Sequence, residues 1–433
     1  MAGTFLKRTN TSATNTFTFS AWVKLCNPTK TANQWIFTSG SNGLMTRDSS
    51  TGPDGGEEFH FYNSSNNTNY YSGAKRRDAS GWYHIVLSSN SGTGTLYVNG
   101  ETDKTGIVVP NLSTSSNDMQ IGRRASTGGD YFDGLMSHVH FTDGTAYDAS
   151  YFGETDATTG EWKIKTSPSV TYGTNGFFIL KDGNSVTDQS GNSNNFTVDG
   201  DILTKTEDNP SNVFATMNPL DNYYAGSTFS KGNNTVVTGS SSTTYNTSTI
   251  AIEPTMKCYW EAKFDTTQSG NGEIGIVDKP TTSSSAGGGA SRLYYQTYGI
   301  SVNDLGQVWG ANANTGITLG TLSTSDIICF AWDGVNSALY VRKNGDAWIN
   351  SGDPTSGASK TGAVKTHSGT RIMFPAVGDQ NGSGTMQSSL NFGNGYFGTT
   401  AVASAGTNAS GIGIFEYDVP TGYTALSTKG LNL

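Results

Sequence analysis

Apolar and polar residues alternate in short runs along the whole chain, and turns rich in Gly, Ser or Asn separate the runs. The clearest run extends over residues 17–24, where Phe17, Phe19, Ala21 and Val23 share one side. Strict alternation places successive side chains on opposite faces of a strand, so this run predicts a strand with one buried face. Similar runs recur up to residue 141, and the pattern is typical of a β-sandwich.

A second group of such runs lies between residues 248 and 345. Within it, residues 329–332 are a continuous apolar run, as expected for a strand inside a sandwich. Asn-Gly pairs at 99–100 and 344–345 each predict a two-residue hairpin, because both positions accept a positive φ. The chain is therefore predicted to be all-β, with two antiparallel sandwiches in tandem and very little helix.

Composition narrows the functional classes. Charged residues make up only 14% of the 433 residues and aromatic residues 11%, and disordered chains lack such an aromatic content. The net charge is −9, and the short basic pieces at 75–77 and 123–124 are interpreted as solvated loop charge. Nucleic-acid binding is therefore not expected. There is no run of 18 apolar residues, so no membrane insertion is expected.

Cysteines and tryptophans are assigned to the interior. Three cysteines stand far apart without a CxxC spacing, which predicts buried free thiols and excludes a four-ligand zinc site. Strand phase predicts that four tryptophans belong to the cores: Trp22, Trp82, Trp260 and Trp332.

The first group of runs carries a family resemblance. The segments FTFSAWVK, WYHIV, LYVNG, IGR and YFDGLMSHVHF occur in an order that resembles laminin-G-like and pentraxin-like domains, which have the concanavalin-type jelly-roll fold. The resemblance implies a first domain over residues 1–152. Residues 153–212 are predicted to be a connector with strands, of which 176–198 folds back to complete the first sandwich. That hypothesis requires Phe177 and Phe196 to contact residues 1–152.

The second group resembles the SPRY domain, another concanavalin-like sandwich, and predicts a domain over 213–433. Its segments are KCYWEAKF, EIGIV, DIICFAWD and ALYVRKNGD. A long Ser/Gly loop at 280–292 departs from the family pattern. Because SPRY domains bind partners through loops, this departure prevents transfer of their binding surface.

The two domains together, with DQSGNSNNFT and NPSNVFATMNPLD between them, resemble virion structural proteins of tailed bacteriophages, especially marine ones. The resemblance implies a tail-fibre-like protein on the particle surface, with tail or capsid proteins as partners. Fibres are commonly trimers, so a homo-oligomer is expected. The N-terminal segment has no apolar signal core, so synthesis in the host cytoplasm without a signal peptide is expected.

Aromatic residues in loops could stack on sugar rings of a host-surface glycan. The candidates are Tyr70, Tyr71, Tyr294, Tyr295 and Trp309. Three of these flank the Ser/Gly loop, and the loop at 280–295 is the predicted place for specificity. For Tyr70, Tyr71 and Tyr295 a core position is an equally good interpretation.

Calcium is the one inorganic cofactor that the sequence suggests. Related folds often hold Ca²⁺ near DxSGN and FDG segments, and the matching positions are Asp130, Asp133, Asp188 and Asn192. The alternative is that these side chains cap their own backbone in Asx turns, which is the favoured interpretation.

Catalysis is not expected. Concanavalin-like glycosidases place two carboxylates on one strand face, and the nearest matches are 154–156 and 273–278. The first lacks a third acid, and the second has Gly275 and Val277 at the required positions. Three functions remain open: host attachment through a glycan, a capsid decoration or tail adaptor that only joins virion proteins, and, least favoured, a glycoside hydrolase.

Overall fold

The computed structural model describes residues 3–47, 57–181, 185–221, 226–239, 243–280, 292–380 and 384–432. The protein is nearly all-β, with several antiparallel sheets, which confirms the predicted fold class. It divides into a first unit, 1–205, and a second unit, 206–433. The division lies seven residues before the predicted end of the connector, at residue 212. No helix among the described residues is long and apolar enough to cross a membrane.

Two sheets form the first unit, in the orders β15-β1-β10-β3-β4-β5-β6 and β14-β11-β2-β7-β8-β9, and β12 and β13 form a separate pair. The strand bounds are β1 Phe5–Arg8, β2 Phe17–Leu25, β3 Gln34–Ser39, β4 Asn42–Thr46, β5 Glu58–Asn63, β6 Thr68–Lys75, β7 Tyr83–Asn90, β8 Thr93–Val98, β9 Glu101–Val108, β10 Met119–Ile121, β11 Gly134–Asp143, β12 Gly153–Thr155, β13 Trp162–Ile164, β14 Phe177–Ile179 and β15 Thr197–Asp199. A short 3-10 turn covers Ala149–Tyr151.

Alternation along the strands builds the core of this unit. The four residues of β2 that share a phase, Phe17, Phe19, Ala21 and Val23, all lie in it, as predicted. The hairpin predicted at 99–100 joins β8 to β9, with φ of 50° at Asn99 and 85° at Gly100.

Residues 153–205 belong to the same sandwich. Strand β14 pairs with β11, and β15 pairs with β1, so each adds an edge to one of the two sheets. The Phe177 ring stacks on Phe141 with centroids 5.5 Å apart, and Phe196 packs edge-on against Phe177 at 4.7 Å. The segment before β14 covers the outer face of the six-stranded sheet, where Phe152 packs in one cluster with Val86.

The second unit is also a pair of sheets, in the orders β16-β17-β28-β19-β24-β25-β26 (with β31 beside β19) and β18-β27-β20-β21-β22-β23. The bounds are β16 Thr228–Ser230, β17 Thr235–Val237, β18 Thr244–Thr247, β19 Lys257–Phe264, β20 Gly272–Val277, β21 Ile300–Asn303, β22 Gln307–Gly310, β23 Ala313–Thr318, β24 Ile328–Asp333, β25 Ala338–Lys343, β26 Lys365–Thr366, β27 Phe374–Asp379, β28 Gln387–Asn391, β29 Tyr396–Phe397, β30 Thr400–Ala401 and β31 Thr424–Ala425. Short 3-10 turns cover Leu293–Tyr295, Ile349–Ser351, Gly357–Ser359 and Gly430–Asn432.

Trp260 and Trp332 are fully buried in the core of the second unit, as predicted. The hairpin predicted at 344–345 is wrong. Strand β24 turns into β25 through residues 334–337, and the partner of β25 on its other side is the distant β26. Asn344 has a φ of 51° and receives a hydrogen bond from the Ile327 N–H on its side-chain oxygen, so it ends β25 instead of turning a hairpin.

The C-terminal segment covers the outer face of the larger sheet. Phe415, Val419 and Tyr423 pack there in one apolar cluster with Tyr259 and Tyr340 of the strands. An equivalent arrangement exists in the first unit, so in each unit a segment outside the sandwich strands covers the outer face of one sheet. Apolar burial on both faces stabilises these sheets more than a single core would.

One buried carboxylate holds the C-terminal segment to the sheet. Glu261 of β19 has no exposed surface and accepts hydrogen bonds from the Glu416 and Tyr417 N–H groups, both at 2.9 Å. It also accepts from the Tyr259 hydroxyl at 2.9 Å and from the Asn391 amide at 3.3 Å. Burial raises the pKa of Glu261 to about 7, against the effect of these four donors.

Glu261→Ala is expected to destabilise the second unit by about 3 kcal/mol, because it leaves two backbone N–H groups and a hydroxyl buried without an acceptor. Urea unfolding measures the change. Glu253→Ala is the control, since that side chain is exposed. A loss within about 0.5 kcal/mol of the control, the usual range for surface substitutions, would contradict this account of how the segment is held.

Candidate functional site

The outer face of the seven-stranded sheet in the first unit carries rings and arginines. Strand β5 shows how alternation produces it: Phe59 and Phe61 enter the core, whereas His60 and Tyr62 lie on the opposite side. Trp35 of β3 packs edge-on against Tyr62 with ring centroids 6.2 Å apart, and Trp35 is 1% exposed.

Two adjacent arginines lie on aromatic rings of this face, Arg124 on the two just named and Arg123 on Phe5. The Arg124 guanidinium carbon is 5.2 Å from the centroid of Trp35 and 5.9 Å from that of Tyr62. The Arg123 guanidinium carbon lies only 3.5 Å from the centroid of Phe5, which places the group directly over the ring face. Such contacts hold an arginine through the ring face and leave its N–H groups at the edge.

Tyr131 completes this surface, with its ring centroid 6.3 Å from that of Phe5. We refer to the surface formed by Phe5, Trp35, Tyr62, Arg123, Arg124 and Tyr131 as the arginine-aromatic face.

Residues 122–133 form the loop that carries both arginines and Tyr131. The Gly122 N–H donates to Ile36 O at 3.0 Å, and the Phe132 N–H donates to Gly122 O at 2.9 Å, so the base of the loop is closed. The Trp35 N–H donates to Asp130 O at 3.2 Å. Asp130 has a φ of 55°, in the left-handed region that Asp and Asn tolerate better than most residues. These bonds fix the loop to the sheet.

The two tyrosines of β6 that were predicted to bind a sugar lie on opposite faces of the sheet. Tyr70 points toward the core and packs against it, whereas Tyr71 lies on the outer face, 5.3 Å from the ring of His60. His60 is fully buried there, and burial together with the charge of Arg47 lowers its pKa to about 3. Tyr71 is thus the member of the pair that borders the arginine-aromatic face.

The structure brings the three candidates of the second unit together on the outer face of its six-stranded sheet. Tyr294 lies 4.6 Å from Tyr295 and 4.9 Å from Trp309, measured between ring centroids. Arg292 lies 5.0 Å above the ring of Tyr295. Tyr294 is 5% exposed, while Tyr295 and Trp309 are partly exposed. Residues 281–291 of the loop predicted to carry specificity lie outside the described residues.

Glu273 lies beneath this cluster and supports it. It is fully buried and accepts hydrogen bonds from the Leu293 N–H and the Ser301 hydroxyl, both at 3.1 Å. Burial raises its pKa to about 8. Gly275 and Val277 follow it on the same side of β20, so the strand itself supplies no second acid of the kind that a glycosidase pair requires.

The other pair of acids considered for hydrolysis lies at the surface. Asp156 is partly exposed, and its pKa is lowered to about 2 by the N–H groups of Thr159 and Thr158 and by Lys163. Lys163 also lies 3.6 Å from Glu154. Both acids form ion pairs with Lys163 at the surface, and the lowered pKa of Asp156 is the opposite of what a general acid requires.

Two positions proposed for calcium have hydrogen-bond partners within the protein. The Asp188 carboxylate accepts from the N–H groups of Phe178, Ser190 and Asn194, at 2.8–2.9 Å. The Asn192 amide nitrogen donates to the carbonyl oxygens of Gly173 and Gly176. The bond from the Ser190 N–H to Asp188 is that of an Asx turn, whereas Asn192 donates to distant carbonyl oxygens and forms no such turn through these bonds.

The other two positions pair with cations, since Asp130 lies 3.8 Å from Arg124 Nη1 and Asp133 lies 3.8 Å from Lys30 Nζ. Among the described residues, no group of three or more His, Cys, Asp or Glu side chains is placed to hold a metal ion. Calcium binding stays a prediction that calorimetric titration can test.

Two interpretations from the sequence need correction. Arg123 and Arg124 are not solvated loop charge, because both stack on aromatic rings of the sheet. Trp82 is partly exposed and is not a core residue. The strand phase of Phe59 to Tyr62 contained a signal that would have placed Tyr62 on the outer face. The sequence held no comparable signal that the loop at 122–133 folds over it.

Comparisons with known proteins agree with the fold of the first unit. Residues 3–150 match the family described as the concanavalin A-like lectin/glucanases superfamily, of laminin G type. No curated protein sequence matches the chain significantly.

Several solved structures resemble parts of the chain. They include a putative carbohydrate binding protein from Bacteroides ovatus (20% identity, 46% of this chain, 58% of that chain, TM-score 0.31). The SPRY domain of human HERC1 is another (12% identity, 40% of this chain, 96% of that chain, TM-score 0.31). A third is a pentraxin from Limulus polyphemus (18% identity, 33% of this chain, 77% of that chain, TM-score 0.25). At these identities and TM-scores the likenesses transfer neither a ligand nor an activity.

Proposed function

We propose that the chain is a non-enzymatic structural protein of a bacteriophage particle, displayed in tail-fibre-like manner at the surface, and that it attaches the particle to glycans of the host. The arginine-aromatic face carries the binding half of this proposal. Partly exposed rings fixed on a rigid sheet offer the flat apolar surface on which a sugar ring can stack, with polar groups at the edge for its hydroxyls. The match of residues 3–150 to a lectin-type family supports the same half.

The order of motifs supports the proposed place in a bacteriophage particle, because a laminin-G-like unit followed by a SPRY-like unit resembles tailed-phage virion proteins. Weak binding of one glycan by one chain would suffice on a particle. Many copies on one virion turn the later contacts into intramolecular ones and raise the overall avidity by orders of magnitude. A homo-oligomer would supply such copies.

Saturable adsorption of the purified, fluorescently labelled chain to host bacteria tests the proposal. Tyr62→Ala should weaken adsorption by up to about tenfold, because one aromatic contact contributes about 0.5–1.5 kcal/mol. Tyr151→Ala is the matched control, since this tyrosine is 42% exposed and lies outside the face. Absence of adsorption, with retention on capsids or tails, would contradict host attachment and favour a protein that only joins virion components.

A further inference from the structure

We infer that the arginine-aromatic face selects acidic glycans, polysaccharides with carboxylate or sulfate groups, and that Arg123 and Arg124 are its specificity-determining residues. This inference rests on the proposed function, since it names the class of glycan that the same face would bind. Its basis is the state of the two guanidinium groups, which differs from that of ordinary surface arginines.

Both arginines are held by rings while most of their hydrogen-bonding capacity is unused. Arg123 donates from Nε to Gln120 Oε1 at 2.9 Å, and none of the described residues hydrogen-bonds its two terminal amino groups. Arg124 Nε is buried and has no hydrogen-bond partner among the described residues. A guanidinium fork positioned in this way matches a carboxylate or sulfate ester in geometry and in charge.

The acids near these arginines attract their charges but leave the guanidinium N–H groups available for hydrogen bonds. Asp130 lies 3.8 Å from Arg124 Nη1, which is beyond hydrogen-bond distance, and both side chains are about 30% exposed. Asp199, which interacts electrostatically with Arg123, is itself paired with Lys7. On a chain with a net charge of −9, this cationic pair is therefore a local feature that would attract an anionic ligand.

The arrangement also predicts how a bound sugar is oriented. Tyr62 and Tyr131 are partly exposed beside the stacked guanidinium groups. A sugar ring on a tyrosine face would lie beside the guanidinium groups, so that an acidic substituent of the sugar would face their charge. Neutral sugars could use the rings alone, so the arginines should contribute selectivity and the rings should contribute affinity common to both classes.

Titration of the full chain with four size-matched probes tests the inference: oligogalacturonate, sulfated dextran, neutral dextran and single-stranded DNA. We expect at least tenfold tighter binding of one or both acidic glycans than of neutral dextran, weakening as salt is raised. Carboxylate and sulfate are separated by which acidic probe binds. Arg124→Ala should reduce acidic-glycan binding about tenfold, and Arg124→Lys should lose part of it, because lysine keeps the charge without the planar fork.

Arg77→Ala is the matched control, an arginine of the same unit that is 57% exposed. Asp130→Asn provides a gain of function that does not depend on loss of a residue from the face. It removes the competing charge, and Asn suits the left-handed backbone, so acidic-glycan binding should tighten about threefold.

Equal binding of acidic and neutral glycans, or binding of DNA as tight as that of the tighter-binding acidic glycan, would overturn the inference and leave the proposed function intact. Acidic-glycan binding that is unchanged in Arg124→Ala and Asp130→Asn would also overturn it. Failure to bind any of the three glycans would overturn the inference, and absence of adsorption to host bacteria as well would overturn both.

Discussion

Phe177→Ala is expected to destabilise the first unit by about 3–5 kcal/mol, the usual cost of removing a fully buried phenylalanine. This residue lies in the segment after the laminin-G-like motifs, yet it is completely buried between Phe141 and Phe196. In a unit of about 200 residues, each kcal/mol corresponds to about 2–4 °C in Tm, so the melting temperature should fall by roughly 10 °C.

Differential scanning calorimetry of the full chain measures this change. Val198→Ala is the matched control, because it lies in the same segment on β15 and is 38% exposed. If Phe177→Ala behaved like the control, residues 176–198 would be dispensable for the sandwich, and the pairing of β14 with β11 would contribute little. We expect Phe177→Ala to lower the melting temperature of the first unit and to leave the thermal transition of the second unit unchanged.

The fold could be predicted because it depends on alternation, which is written in the chain. The phases of β2 and of the strands around Trp260 and Trp332 gave the two cores. What could not be predicted is which residues cover the sheets from outside. Glu261 accepts hydrogen bonds from the N–H groups of Glu416 and Tyr417, more than 150 residues away in the sequence. No local sequence pattern predicts such a long-range contact.

Of the two aromatic clusters at the surface, only the one in the second unit was predicted from the sequence. Tyr294, Tyr295 and Trp309 were found as aromatic residues near a loop, and they do form one cluster. The arginine-aromatic face was missed because its arginines come from a loop whose fold is set by backbone bonds to Ile36 and Trp35. A basic pair in sequence has the same appearance whether it is solvated or stacked.

The two units are expected to respond to pH in opposite directions, because the buried acids and histidines with the largest pKa shifts are histidines in the first unit and glutamates in the second. The first unit buries neutral histidines. Trp162 Nε1 donates to His84 Nδ1 at 3.0 Å, so the neutral ring carries its proton on Nε2 and donates to Ser20 Oγ at 2.9 Å. Protonation would set a second N–H against the Trp162 donor, and burial lowers the pKa of His84 to about 3.

His60 has its pKa lowered to about 3 as well, and the pKa of His140 is lowered by burial and by the nearby His138. The unfolded chain binds these protons near pH 6.5, so the stability of the first unit should fall as the pH drops below that value. At pH 5 each such ring would cost about 2 kcal/mol relative to pH 7, from about 1.4 kcal/mol per pKa unit.

The second unit buries Glu261 and Glu273, whose pKa values are raised by burial to about 7 and about 8. A raised folded-state pKa gives stability that is complete below the unfolded value, near 4.5, and is lost as the pH rises through the folded value. Each glutamate should thus cost about 2–4 kcal/mol between pH 5 and pH 8.5. His367 acts in the opposite direction, but it is a single, partly exposed ring.

Calorimetric scans at pH 5 and pH 8.5 should therefore show the transition of the first unit rising with pH and that of the second falling, with Phe177→Ala and Glu261→Ala assigning the two peaks. Glu273→Gln should flatten the decline of the second peak and leave the first unchanged, since glutamine fills the same space without titrating. Movement of both peaks in the same direction would mean that surface charge, and not these buried groups, controls the response of the protein to pH.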